Sequence, residues 1–188
     1  MSKTNLHGQL FEVEIIDTTV EGKGVAKLND KVFFVNDAIP GDKLIIKVIS
    51  KKRRYFEAIN HEIIEPSPDR QQPFCKHFGL CGGCKWQHMT YSAQKVFKEK
   101  QVYDQLQRIG KLSIQKKYPI MACQITQFYR NKLDFTFSTH QWFLNVNDTP
   151  KPVVGFHIPG RFDKVLDIEE CFFQPEPSNK IRNLIRTI

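Results

Sequence analysis

The sequence predicts a mainly β protein with some α. A small closed barrel comes first, then a cysteine-rich segment with one helix, then part of an antiparallel β domain. Three observations carry this reading. Apolar and polar residues alternate with a period of two from residue 6 to about residue 63, between glycine-containing turns. Three of the five cysteines crowd into residues 74–86. From about residue 120 the period of two returns.

The totals bound the problem. A chain of 188 residues can bury a real core, and 40% hydrophobic with 26% charged residues is a globular balance. No apolar run approaches the roughly 18 residues of a membrane helix, and residues 1–20 lack a signal-peptide pattern. The expected compartment is the cytoplasm, where thiols stay reduced and clustered cysteines favour metal or catalysis over disulfides. The net charge of +8 and a pI near 9.3 fit a polyanionic partner. Residues 65–118 hold ten lysines and arginines against four acids, so most of that charge surrounds the cysteines.

Taken in order, Leu10–Ile16, Lys31–Val35, Lys43–Ile49 and Tyr55–Ile59 read as strands, with Gly22-Lys23-Gly24 and Pro40-Gly41-Asp42 as turns. Short strands at this density suggest a five-stranded barrel of the OB type. Between two strands runs Lys51-Lys52-Arg53-Arg54-Tyr55-Phe56. Four cations suit phosphate contacts, and an exposed Tyr55 could stack a base. The competing reading is a solvated hairpin tip whose aromatics point inward.

The segments Gly22-Lys23-Gly24-Val25-Ala26, Val32-Phe33-Phe34-Val35 and Ala38-Ile39-Pro40-Gly41-Asp42 together resemble the TRAM domain, an RNA-binding barrel attached to RNA-modifying enzymes. The pattern covers most of residues 8–60. A proline-rich polar stretch, Glu65 to Pro73, then reads as a linker.

The cysteine loop has C-x5-C-x2-C spacing at Cys75, Cys81 and Cys84, with Cys171 far downstream. Four thiolates suit an iron–sulfur cluster or a structural zinc. Gly79, Gly82 and Gly83 allow positive φ and bring N–H groups toward sulfur. Phe74, Phe78, Leu80, Trp86, Phe172 and Phe173 could form a dry shell. Zinc knuckles favour two matched C-x2-C pairs, which this loop lacks, although His77 or His88 could complete a three-cysteine, one-histidine site. Cys123 has no partner spacing and reads as a structural thiol.

The loop Cys75-x5-Cys81-Gly82-Gly83-Cys84, the helix from Tyr91 to Gly110 and the strand leading into Cys171 resemble the cluster domain of RumA-type 23S rRNA (uracil-5-)-methyltransferases. The resemblance implies that Cys75, Cys81, Cys84 and Cys171 ligate a [4Fe–4S] cluster.

Thr90 or Ser92 can cap that helix, with Val102, Leu106 and Ile109 as its expected buried stripe. Beyond it, Leu133, Phe135 and Phe137 alternate with polar residues, and Trp142–Leu144, Pro152–His157 and Lys164–Ile168 supply further strands. Tyr129-Arg130-Asn131-Lys132 is similar to a segment of the same methyltransferases near the target nucleotide, and Arg130, Asn131 and Lys132 suit phosphate and base-edge contacts. Alternation would turn Arg130 and Lys132 to one face and Asn131 to the other. A last helix from Ser178 carries Ile181, Leu184, Ile185 and Ile188 on one apolar face, and the chain stops there. That points to the N-terminal part of a longer protein.

The expected divisions are residues 1–64 as the TRAM barrel, 65–118 as the cysteine loop and helix, and 119–188 as a central β domain supplying the fourth cysteine. For the full-length parent, the resemblance implies a monomeric enzyme that binds ribosomal RNA and methylates uridine C5 with S-adenosylmethionine. This chain has no Gly-x-Gly turn in a strand-to-helix setting and no nucleophile and base pair. It is expected to recognise RNA and hold the cluster, with no catalytic residue, no membrane contact and no obligate protein partner. Two alternatives remain. One is a non-enzymatic, zinc-stabilised RNA-binding module. The other is part of a radical-type RNA-modifying enzyme, against which the x5 spacing and Cys171 argue.

Overall fold

The computed structural model describes residues 6–145 and 147–187. By packing, these group into two units: one of residues up to Gln72 with Trp86–Met121, and one of Pro73–Lys85 with Ala122 onward. The cysteine loop therefore folds with the later strands, and the long helix folds with the barrel.

In the first unit, β1 (Leu10–Thr18), β2 (Gly24–Leu28), β3 (Lys31–Asn36), β4 (Lys43–Lys51) and β5 (Phe56–Glu65) close a barrel in the order β1-β2-β3-β5-β4. All pairs are antiparallel except β3 with β5. Alternation decides the faces. Leu44, Ile46 and Val48 point inward beside Val13, Ile15, Phe33 and Val35, while Lys43, Lys47 and Ile49 face solvent. The β2–β3 hairpin turns on Asn29 and Asp30, both at positive φ, which matches the twist of its strands. β2 lies where the sequence reading saw only a glycine turn. Gly24 opens it because a Cβ there would sit 2.9 Å from Ala38 and Ile15 side-chain carbons.

Asp42 follows the Pro40-Gly41 turn and is completely buried. Its carboxylate accepts from Ile39 N–H (2.8 Å), Ser67 N–H (2.9 Å), Arg70 Nε (3.0 Å) and Arg70 Nη2 (2.6 Å). The segment read as a linker is thus tied to the barrel by a buried ion pair.

Helix α1 (Tyr91–Arg108) is capped by Thr90, whose Oγ1 accepts from Ala93 N–H. The expected buried stripe is a miss: Val102, Leu106 and Ile109 are 54%, 37% and 80% exposed. The helix packs through its first turns instead, where Ala93 and Phe97 meet Ile39, Met89 and Trp86. Further along, polar contacts hold it, with Lys100 pairing with Asp17 and Gln101 donating to the Thr18 carbonyl.

In the second unit, β6 (Thr136–Ser138), β7 (Val153–Ile158) and β8 (Arg161–Asp167) form an antiparallel sheet, and α2 (Ser178–Ile185) follows. Leu133 and Phe135 pack at the edge of its core as expected, but Phe137 comes out 60% exposed. Trp142–Leu144 forms no strand; Trp142 N–H donates to the Val165 carbonyl beside an isolated bridge at Gln141. Ile181, Leu184 and Ile185 form the exposed face of α2, whereas Asn179 and Arg182 are buried. Ile188 lies outside the described residues. No helix among the described residues is long and apolar enough to cross a membrane.

Candidate cysteine site and nucleic-acid interface

The cysteine loop is a succession of tight turns. Phe78 N–H donates to the Cys75 carbonyl, and Leu80 and Cys81 N–H both donate to the His77 carbonyl. Gly79 takes φ +86°, as its residue type permits. Gly82 and Gly83 do not adopt positive φ; at Gly82 the constraint is steric. A Cβ on Gly82 would lie 2.9 Å from the His157 carbonyl oxygen, to which its N–H donates. Gly83 N–H donates to Cys81 Sγ at 3.3 Å, the amide-to-sulfur contact expected of this loop.

Cys75, Cys81 and Cys84 are half-buried and Cys171 is buried, and no disulfide joins the described cysteines. Burial, helped by the charges of Cys84, Cys75 and Cys171 and opposed by the Gly83 N–H, pushes the Cys81 thiol up to about 11. Burial likewise raises Cys171, while Phe173 N–H, Arg182 and Arg130 oppose. Cys81 thus feels the charges of Cys75, Cys84 and Cys171, and Cys171 that of Cys75. Among the described residues, no three His, Cys, Asp or Glu side chains converge on a single ion position.

The apolar surroundings differ from the expected shell. Ile158, Leu166 and Ile168, with Phe156 and Phe173, enclose Cys81 and Cys171. Phe74 and Leu80 are about two-fifths exposed, and Trp86 packs in the first unit. His77 is buried, its Nδ1 4.0 Å from Cys75 Sγ, and burial lowers its pKa, helped by Lys76. His88 is buried in the first unit, where its carbonyl accepts from Gln71 N–H. Cys123 is exposed and its thiol donates to the Ile125 carbonyl.

Two residues that sequence reasoning missed hold Cys171. Asn179 accepts from Cys171 N–H through Oδ1 (2.9 Å) and donates from Nδ2 to the Cys171 carbonyl (3.3 Å). Arg182 donates to that same Oδ1 (2.8 Å), to the Ile168 carbonyl (3.0 Å) and to the Glu169 carbonyl (2.7 Å), and lies over the Phe135 ring. The available signal was their i, i+3 spacing on the polar side of α2.

The candidate RNA-binding residues separate into two groups. In the first unit, Lys51, Lys52, Arg53 and Arg54 are exposed at the β4–β5 hairpin. Lys52 pairs with Glu57, and Lys51 lies over the buried Phe56 ring. Tyr55 is half-buried and packs on Phe34, with ring centroids 4.5 Å apart. In the second unit, Arg130, Asn131 and Lys132 are exposed. Arg130 N–H donates to the Phe173 carbonyl and its guanidinium covers the Phe173 ring. Arg130 and Asn131 both line a cavity of about 540 Å³ with Tyr129, Phe135 and Pro177. The expected opposition of their side chains does not arise, because residues 130–132 lie outside any strand.

Comparison with known proteins agrees with this architecture. The TRAM domain profile matches residues 5–59. An RNA methyltransferase of Bacteroides thetaiotaomicron is 49% identical over 172 residues, covering 88% of this chain and 38% of its own length. The 23S rRNA (uracil(1939)-C(5))-methyltransferase RlmD of Xylella fastidiosa is 37% identical over 166 residues, covering 86% and 35%. The chain thus spans under two-fifths of the length of these curated relatives. The fold is shared with Pyrococcus abyssi tRNA (uracil-54, C5)-methyltransferase, solved with S-adenosyl-L-homocysteine, at TM-score 0.56 and 20% identity over 93% of this chain and 36% of that one. The chain thus carries a TRAM domain at residues 5–59 and is similar along most of its length to proteins named as RNA methyltransferases.

Proposed function

We propose that this chain is the RNA-recognition and metal-holding portion of an S-adenosylmethionine-dependent enzyme that methylates uracil C5 in ribosomal RNA. The observation that carries the reading is a TRAM barrel and a four-cysteine unit in one basic chain, aligned together with RNA methyltransferases. The exposed cations at 51–54, with Tyr55, and Arg130, Asn131 and Lys132 would contact the RNA, the cations mainly through phosphates. S-adenosylmethionine would supply the methyl group in the parent enzyme, and no residue of this chain is assigned to it. The reading places the enzyme in the cytoplasm as a monomer.

Cys75, Cys81, Cys84 and Cys171 would hold a [4Fe–4S] cluster. Their chemistry fits: four free thiols of one unit are the usual complement for such a cluster, and Cys81 and Cys171 sit in an apolar surround. Tetrahedral zinc, with Zn–S of about 2.3 Å, needs its sulfurs about 3.8 Å apart. In a cubane each thiolate binds its own iron, so the four stand further apart. A zinc site remains the second reading, favoured by the 4.0 Å approach of His77 Nδ1 to Cys75 Sγ.

Two measurements test this. Anaerobically purified protein should contain about four irons and four acid-labile sulfides per chain; about one zinc without sulfide would replace the cluster reading. The chain should also bind a ribosomal RNA transcript with affinity falling steeply with salt, and replacing Arg53 and Arg54 with glutamine should reduce that slope by about two. No binding at physiological salt would overturn the RNA-recognition reading.

A further inference from the structure

The β7–β8 hairpin and the glycine pair of the cysteine loop border a cavity of about 520 Å³, the size of a small-molecule cleft. Phe156 and Ile158 line it from β7, and Lys85, Arg161 and Phe162 also border it. Gly82 and Gly83 border it from the loop side. A Cβ on Gly83 would already meet Phe156 and Phe173 at 4.0 and 3.7 Å. Phe162 is 88% exposed, just after the turn at Gly160 (φ +76°). A ring so exposed does nothing for the core of this unit. Among the described residues, no carboxylate lines the cavity, and its formal charges are Lys85 and Arg161. Arg161 pairs with Asp163 through Nε at 3.3 Å and lies 6.0 Å over the Trp142 ring, but both it and Lys85 remain exposed.

From this we infer that the cavity is a nucleotide subsite, in which an unpaired base of single-stranded RNA stacks on Phe162 while Lys85 and Arg161 hold its flanking phosphates. The chemistry is that of single-strand binding: an aromatic platform accepts any base face, and neighbouring cations follow the backbone. A protein partner would use the same exposed ring, but two exposed cations bordering it suit a polyanion better. The inference rests on the RNA-recognition reading above and adds a contact point separate from the candidate residues at 51–55 and 130–132.

The test is equilibrium binding of the 188-residue chain to a fluorescein-labelled, unstructured oligoribonucleotide of about twelve nucleotides, across a range of salt. Phe162→Ala should weaken binding about tenfold with an unchanged salt slope, whereas Phe162→Trp should restore it. Lys85→Gln should lower the slope by about one. Thermal unfolding of each variant shows whether the fold is retained. If the parent chain binds and Phe162→Ala binds equally well, the subsite is refuted while RNA recognition stands. A loss for Phe162→Ala that tracks a lowered melting temperature, or that tryptophan does not rescue, would make the ring structural and also refutes it. If the parent chain binds no RNA, both readings fall together.

Discussion

Replacing Asp42 with alanine should destabilise the barrel unit by about 4 kcal/mol. The carboxylate is fully buried and accepts four hydrogen bonds, two from backbone N–H groups of Ile39 and Ser67 and two from Arg70. Removing one partner of a buried ion pair costs about 3–5 kcal/mol. Each buried N–H left without an acceptor costs about 1–3 kcal/mol. These losses overlap, and Arg70 keeps its bond to the Asp37 carbonyl at 3.1 Å, so their sum overstates the effect. With a urea m-value of about 2 kcal/mol/M, the midpoint should fall by about 2 M. Trp86 packs against Ile39, Met89 and Ala93, so its emission in a Trp142→Phe background reports this unit. Arg70→Met removes the other partner and leaves a fully buried carboxylate on its two backbone donors alone, so it should also cost about 3–5 kcal/mol. Burial pushes the Asp42 carboxyl up, but the bonds from Arg70, Ser67 and Ile39 hold it below the ordinary carboxylate range. Its contribution is therefore complete above about pH 4 and is lost as pH falls through the lowered value. A midpoint shift below about 0.5 M at neutral pH would refute the argument.

Further outcomes follow from other residues. Hydrogen bonds from Ser50 and then Lys23 hold Glu57 down to about 2. Glu57→Gln should thus melt earlier at neutral pH, with the gap to the parent protein closing between about pH 4.5 and 2. Gly155→Ala should abolish folding of the second unit, a loss above about 4 kcal/mol visible in Trp142 emission, because the new Cβ would run into the Leu166 carbonyl oxygen. In metal-free protein, Asn179→Ala and Arg182→Met should each raise the alkylation rate of Cys171 about tenfold, read by mass spectrometry against the unchanged rate at exposed Cys123. Equal Cys171 rates would mean that the clamp does not restrain this segment.

The barrel was largely legible because a strand with one buried face writes its fold into a period of two. Leu44, Ile46 and Val48 show that period and are all buried. The amphipathic stripes of the two helices were equally visible, and the one on α1 led to the wrong face. Val102, Leu106 and Ile109 on α1 and Ile181, Leu184 and Ile185 on α2 are exposed, while the small Ala93 and the polar Asn179 and Arg182 are buried. A side chain's polarity does not say whether carbonyls such as those of Ile168 and Glu169 will be waiting for it.

Local chemistry was therefore enough for most of the barrel strands, the helix cap at Thr90 and the amide-to-sulfur contact in the cysteine loop, each set by residues a few positions apart. Pairings between distant segments needed the assembled chain: β3 beside β5 in parallel, Arg70 on Asp42, the cysteine loop against β7, and Asn179 around Cys171. The physical reason is that spacing along a polypeptide encodes which way a side chain points. What it meets there depends on how loops close, and that is decided by the packing of the whole unit.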